Sequence, residues 1–294
     1  VGGWVTFTAH LSLLKEYQIY KIGKRTEQKE GNPKYRDFGY TRTYQNITIE
    51  DLINKDTDII VTAIDKSGYE VLDKLPEGTR IVIHDPTELK ANKGHLLSKL
   101  EKFKCITIRK TVSDYLTRHD ISSTFLCHPY VELSQETADK DALNDKSGTV
   151  SISRIDYDKH TEILIKANEL LLDPINIYGT KNDRYVFHKL KDLDPMKELA
   201  PGSNYRGKFP KDFYSLSNIL SGSKFVVDMS RIKDDGGGSQ YTFLEAIDFD
   251  CALILHSDWV NSPNSIFIAG ENCYAVSNED ELVELLNSEP DVTS

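Results

Sequence analysis

Apolar residues fall along this chain in short continuous runs rather than in strict alternation. Asp58–Ile64 (DIIVTAI), Arg80–His84 (RIVIH) and CALILH near residue 251 are strand-sized, and the stretches between them carry apolar residues at helical spacing. Continuous apolar strands separated by helices predict parallel sheets covered on both faces. In the first half the pattern predicts strands at QIYKIG, TRTYQNIT, TDIIVTAI, TRIVIHD, KCITIRK and STFLCHPYV. The intervening helices are IEDLINK, GYEVLDKL, Lys90–Lys102 and VSDYLTRH. A first helix, VGGWVTFTAHLSLLKEY, places Trp4, Phe7, Leu11 and Leu14 on one stripe. Residues 132–147 (ELSQETADKDALNDKS) are polar and poor in large apolar side chains, which marks a linker. The pattern then restarts with strands at GTVSISRI, INIYG, KFVVDMS, CALILH and CYAVS, and with helices between and after them. Two successive doubly wound α/β domains are expected, residues 1–131 and 148–294, with a ligand cleft between the carboxyl ends of their sheets.

Composition sharpens this picture. A chain of 294 residues, 39% hydrophobic and 28% charged, is long enough for two cores and reads as globular. The apolar runs are too short to span a bilayer, so no stable membrane association is expected. No signal peptide is visible, and the chain begins without Met. Cys105, Cys127, Cys251 and Cys273 are widely spaced with no CxxC pair, and are expected as reduced core residues of a cytoplasmic protein. Asp-x-Asp pairs recur at Asp56/Asp58, Asp156/Asp158, Asp192/Asp194 and Asp248/Asp250, close to chance among 46 acids. Neither a metal site nor a prosthetic group is therefore indicated.

The net charge of −10 alone argues against a nucleic-acid partner, but its distribution changes that. Residues 1–130 hold 20 Lys/Arg against 17 Asp/Glu, whereas the remainder holds 16 against 29. Lys21–Tyr44 carries seven basic residues interleaved with Tyr35, Phe38, Tyr40 and Tyr44, and Leu89–Lys110 carries seven against the single acid Glu101. Two readings stand: solvated faces, or a surface for a polyanion with rings available for stacking.

The candidate chemistry concentrates in the second half. Gly236–Ile254 (GGGSQYTFLEAIDFDCALI) runs three glycines into a short helix. Such a turn aims unpaired backbone N–H groups and a partial positive charge at one point, a site suited to phosphate. Glu245, further along that helix, is placed to take sugar hydroxyls. In Ser153–His160 (SRIDYDKH), Arg154 ends a strand and Lys159 starts the next helix. Together they form either a clamp for a diphosphate or a pair of surface charges facing Asp156 and Asp158. In the first half His84 and Asp85, at a strand end, are the acid–base candidates, since a base must reach the hydroxyl it deprotonates.

A strand ending in Arg154, Lys159 at a helix start, a strand ending in Tyr178-Gly179, the LEA helix and ENCYAVSNEDELVELL follow one another in an order that resembles the donor domain of retaining GT-B glycosyltransferases. GGWVTFTAHL resembles the Gly turn of their acceptor domain, normally preceded by a first strand that this chain lacks. IVIHDPTEL resembles the strand bearing a His near the transferred sugar. SQYTFLEAIDFDCALILHSD followed by EN looks most like the bacteriophage DNA α-glucosyltransferases, which glycosylate hydroxymethylated cytosine from a UDP-sugar.

The resemblance implies an α/β GT-B fold of two Rossmann-like domains and a UDP-sugar as co-substrate, with no metal required. By position it implies donor-diphosphate contacts at Arg154, Lys159, the Gly2–Gly3 turn and the Gln240, Tyr241 and Thr242 amides, and a ribose contact at Glu245. Gly179 and the Tyr205-Arg206-Gly207 segment would lie near the nucleobase. Lys24, Arg25, Lys34, Arg36, Lys90 and Lys93, in the two basic stretches, are the candidate contacts to DNA, the favoured acceptor. One position departs from the pattern: eight residues before Glu245, where the family carries a Glu, stands Gly237, with Asp234 and Asp235 out of register. A glycan, lipid or protein acceptor, or binding of nucleotides or nucleic acid without turnover, are the competing readings. The acceptor proton goes to His84 or Asp85, or to the departing phosphate. The sequence leaves the oligomeric state open.

Overall fold

The continuous apolar runs do form parallel strands. The computed structural model describes residues 2–15, 17–22, 45–62, 69–85, 88–89, 95–132, 134, 146–191, 204–208, 213–231, 236–288 and 290. Its contacts divide the chain into two units, 1–131 with 234–241, and 132–233 with 242–294. Residues 236–241, counted with the C-terminal half in the sequence, thus pack with unit 1.

Unit 1 contains β1 (Tyr20–Ile22) paired with β2 (Gln45–Ile47), and a four-stranded parallel sheet in the order β3 (Ile60–Val61), β4 (Arg80–Ile83), β5 (Lys104–Thr107), β6 (Ser123–Phe125). Ile81, Ile83, Leu100, Cys105, Val112 and Leu116 lie at its core. Unit 2 contains six parallel strands: β7 (Thr149–Ile152), β8 (Asn176–Tyr178), β9 (Tyr205–Gly207), β10 (Phe225–Asp228), β11 (Ala252–His256) and β12 (Tyr274–Val276). Their spatial order is β12-β11-β10-β7-β8-β9. Chain order therefore reverses between β7 and β10, the point where doubly wound sheets open to a ligand. All four residues of β7 and of β10 are buried, the polar Thr149, Ser151 and Asp228 among them.

Several elements differ from the sequence reading. The first helix, Gly2–Leu14, buries Thr6, Phe7, Ala9, His10 and Ser12, while Leu14 is 58% exposed. Its inner face meets rings and polar groups, so the apolar stripe does not mark it. Gly2 and Gly3 form its first turn rather than a loop ahead of it. STFLCHPYV is strand only to Phe125. Pro129, without an N–H, gives its carbonyl to the Tyr241 hydroxyl at 3.1 Å instead of joining a ladder. The helical segment after β8 is three α-helical residues, Asp183–Tyr185, followed by a π turn over Val186–Leu190. Of the basic helix, His95–Leu100 is described, and of the linker, residues 134 and 146–147 are described along with Glu132. Cys105, Cys251 and Cys273 are buried free thiols pushed up to about 11 by burial, whereas Cys127, expected in the core with them, is exposed.

The carboxyl ends of β7 and β8 are stitched at Gly179. Ser153 N–H donates to Tyr178 O at 3.1 Å and Gly179 N–H to Gly207 O at 2.9 Å. A Cβ at Gly179 would run into the carbonyl of Ser153. Gly179→Ala is therefore expected to cost about 1–3 kcal/mol of unit 2 stability by overpacking, read by denaturant unfolding. An unchanged unfolding midpoint would show that the two loops part freely.

Candidate functional site

The loops leaving β7 and β10 meet at the reversal of strand order, and a lysine joins them. Lys159 Nζ donates to Ser230 Oγ at 2.6 Å and stands 3.8 Å from Asp228 Oδ2, with the Lys159 side chain only 11% exposed. Asp228, the last residue of β10, is 3% exposed and accepts the Ser230 N–H at 2.8 Å. Arg231 N–H donates to Asp158 O at 3.2 Å, closing the same junction. A buried ammonium requires partners, and here one carboxylate and one hydroxyl supply them while fixing the cation at the carboxyl ends of both strands.

Arg154 behaves differently. Its guanidinium is 64% exposed and forked between Asp156 Oδ2 at 3.0 Å and Asp158 Oδ2 at 3.2 Å, the surface-charge arrangement that the sequence left open. Exposed pairs of this kind contribute about 0–1 kcal/mol, so the guanidinium can exchange these carboxylates for a stronger anion at little cost. Asp156 is held in place by the Asn182 amide and the Tyr157 N–H, both at 2.8 Å.

Of the residues expected near a nucleobase, three come together and one does not. The Tyr205 hydroxyl donates to Gly179 O at 2.8 Å, and Gly179 is bonded to Gly207. Arg206 alternates to the other face of β9, where its Nε donates to Asn176 Oδ1 at 2.7 Å beside Ser147 and Ser223. Its guanidinium thus sits at the start of β8 rather than at its carboxyl end.

The helix Tyr241–Asp248 follows the Gly-rich loop. Glu245, on its second turn, is 3% exposed, an unusual setting for a carboxylate. Gln240, Tyr241 and Thr242 lie at the helix start, where backbone N–H groups have no partner within the helix. Gly237 has φ +76, a left-handed conformation that a Glu would adopt only under strain. The departure from the family pattern thus has a backbone reason.

In unit 1 the strand-end histidine is buried among rings. His84 is 7% exposed, with its ring 4.9 Å from Phe7 and 6.2 Å from Trp4. Its Nε2 lies 2.7 Å from Thr62 O, an acceptor, so that nitrogen carries the proton. Burial lowers its pKa to about 4. Glu88, which the sequence reading did not single out, accepts the His84 N–H at 2.9 Å and the Trp4 indole N–H at 2.8 Å. Burial raises its pKa to about 8. His10 stacks between Tyr130 and Tyr241, and burial, reinforced by the Arg109 charge, lowers His128 to about 2.

Lys24, Arg25, Lys34, Arg36, Lys90 and Lys93 lie outside the described residues. Within Leu89–Lys110, Lys99 pairs with Asp73 at 2.6 Å, Lys102 donates to Asp73 O and Leu75 O, Lys110 pairs with Asp114, and Arg109 is buried. That stretch is in large part tied down within unit 1. Among the described residues no helix is long and apolar enough to cross a membrane.

No protein-family model and no curated protein sequence matches the chain. Solved structures do match in fold. An alpha-glucosyltransferase in complex with UDP-glucose and DNA containing an abasic site gives a TM-score of 0.66 at 12% identity, covering 98% of this chain and 86% of that one. A glycosyltransferase from Rickettsia africae ESF-5 gives 0.61 at 12% identity, covering 98% and 84%. Anabaena Alr3699/HepE in complex with UDP-glucose gives 0.58 at 11% identity, covering 82% and 71%. The chain has the α/β fold of these glycosyltransferases, the GT-B class with Rossmann-like domains.

Glu88 and His84 titrate with opposite consequences. Glu88 is raised from 4.5 to about 8, so between these values the folded chain binds the extra proton and stability falls as pH rises. His84 is lowered from 6.5 to about 4, so its contribution is present above 6.5 and lost as pH falls toward 4. Glu88→Gln removes the first effect alone. Denaturant unfolding should show the stability of the natural protein, relative to this variant, declining by about 1.4 kcal/mol per pH unit over most of that upper window. A difference independent of pH contradicts a protonated Glu88.

Proposed function

We propose that the protein is a retaining, metal-independent glycosyltransferase that moves a sugar from a UDP-sugar to the hydroxyl of a 5-hydroxymethylated base in DNA. The observation that carries the donor half is Lys159, a nearly buried cation held by Asp228 and Ser230 where strand order reverses. In this reading Lys159 and Arg154 bind the diphosphate, with the Gln240–Thr242 amides and the first turn at Gly2–Gly3. Glu245 takes the ribose hydroxyls, and Gly179, Tyr205 and Gly207 line the nucleobase. As the sugar C1–O bond to phosphate breaks, fixed cations and dipoles offset the growing charge on the leaving group without a metal ion.

Support for the choice of nucleotide comes from structural neighbours bound to UDP or UDP-glucose. Support for DNA comes from the neighbour in complex with UDP-glucose and DNA, and from the basic balance of residues 1–130. His84, with a pKa of about 4 and Nε2 donating to Thr62, is a weak base at neutral pH. We therefore assign the acceptor proton to the departing phosphate: the acceptor O–H breaks as the new C1–O bond forms on the same face, and the proton passes to the phosphate oxygen. His84 and Asp85 line the sugar. A glycan, lipid or protein acceptor is the second reading, favoured by the engagement of Lys99, Lys102 and Lys110 within unit 1.

Release of UDP from a panel of UDP-sugars, with hydroxymethylated and with unmodified DNA, tests the proposal. Turnover is expected only with the modified DNA, undiminished by EDTA, and lowered about 100-fold or more by Lys159→Ala. Turnover with oligosaccharide or protein but never with DNA would replace the first acceptor reading by the second.

A further inference from the structure

The Gly-rich loop is held by residues more than a hundred positions earlier in the chain. Arg109 follows β5 and is 9% exposed, and its Nη1 donates to the carbonyl of Ser239. The next two residues open the helix Lys110–Thr117, and their N–H groups donate to Gly237 O at 3.4 Å and Gly236 O at 3.3 Å. The Thr111 hydroxyl adds a bond to Gly236 O at 3.1 Å. Three carbonyls of the loop thus face donors of unit 1. In a planar trans peptide the carbonyl and the following N–H point in opposite directions. The N–H groups of Gly237, Gly238 and Gln240 are therefore turned away from Arg109, Lys110 and Thr111.

Gly238 completes the fit. A Cβ there would stand 2.5 Å from both Arg109 Nη1 and Ile108 O, so the loop lies flat against the guanidinium only with glycine at this position. Three successive glycines have the greatest backbone freedom of any tripeptide. Without an external clamp, the cost of ordering them would fall on ligand binding.

We propose that Arg109 is a positioning residue for donor binding. Together with the Lys110 and Thr111 amides it sets the peptide planes that carry the N–H groups of Gly237, Gly238 and Gln240, so that these groups are presented to the donor diphosphate. The role rests on the donor-site reading above. It also accounts for Arg109 being buried within an otherwise basic surface stretch, because its charge serves the loop rather than a polyanion.

Binding of UDP to the full chain, measured by calorimetry with and without low-millimolar guanidinium, tests this role. Arg109→Ala should weaken UDP binding about 10- to 100-fold, the range for loss of one hydrogen bond to a charged group. Added guanidinium should recover most of that loss, which general destabilisation would not allow. Gly238→Ala should weaken binding in the same direction. An affinity unchanged in Arg109→Ala, or a loss that guanidinium fails to recover, overturns the proposal. Lys159→Ala is measured alongside. If it weakens UDP binding while Arg109→Ala does not, the positioning role alone has failed. If neither does, the donor site itself has been misassigned.

Discussion

The six-stranded sheet of unit 2 imposes the constraint on which the candidate donor site depends. Parallel strands joined by right-handed crossovers place successive helices on one face, and the face changes where strand order reverses. In the order β12-β11-β10-β7-β8-β9 the change falls between β7 and β10, the place where doubly wound sheets take ligands, and their carboxyl-end loops are joined there by Lys159 and by the Arg231–Asp158 bond. Lys159 occupies that position, and the buried Asp228 keeps its ammonium there at a tolerable desolvation cost. The chemistry of a departing diphosphate asks for a fixed cation of this kind, and the topology determines where one can be built.

Charge is handled differently from place to place in the two units. Lys159 is buried and paired, so its position is fixed before any ligand arrives. Arg154 is exposed and weakly paired, so it is free to move onto an anion. Glu88 is buried with two donors and holds its proton, which lets it tie Trp4 of the first helix to the peptide of His84 without leaving an uncompensated charge. The cation at Arg109 is directed at a backbone carbonyl, that of Ser239. Each of these environments follows from burial and from the nearest partner, and none could be assigned from residue type alone.

What the sequence made legible is what periodicity and turn chemistry report. The buried strands of both sheets, the glycine at the end of β8 and the acid on the helix after the Gly-rich loop stand where the pattern places them. The remainder depended on packing at a distance. Arg206 faces away from Gly179 because a register shift between Ile177 and Tyr178 sets which residues of β9 point to which face. Leu14 is exposed because the first helix packs a polar face against a ring cluster whose members come from four separate segments. Asp228 did leave a signal, an acid closing an apolar strand, but its partner lies in another loop. Gly237 breaks the family pattern because the loop turns there with positive φ, a demand that no local propensity reveals.

In the proposed donor site, Lys159 and the helix bearing Glu245 hold a nucleotide sugar at the carboxyl ends of β7 and β10. A crystal structure of the protein with UDP-glucose tests it most directly. The diphosphate is expected on Lys159 Nζ and the Gln240–Thr242 amides, with the ribose hydroxyls on Glu245. A nucleotide bound elsewhere, or crystals that take up none at saturating concentration, would contradict it.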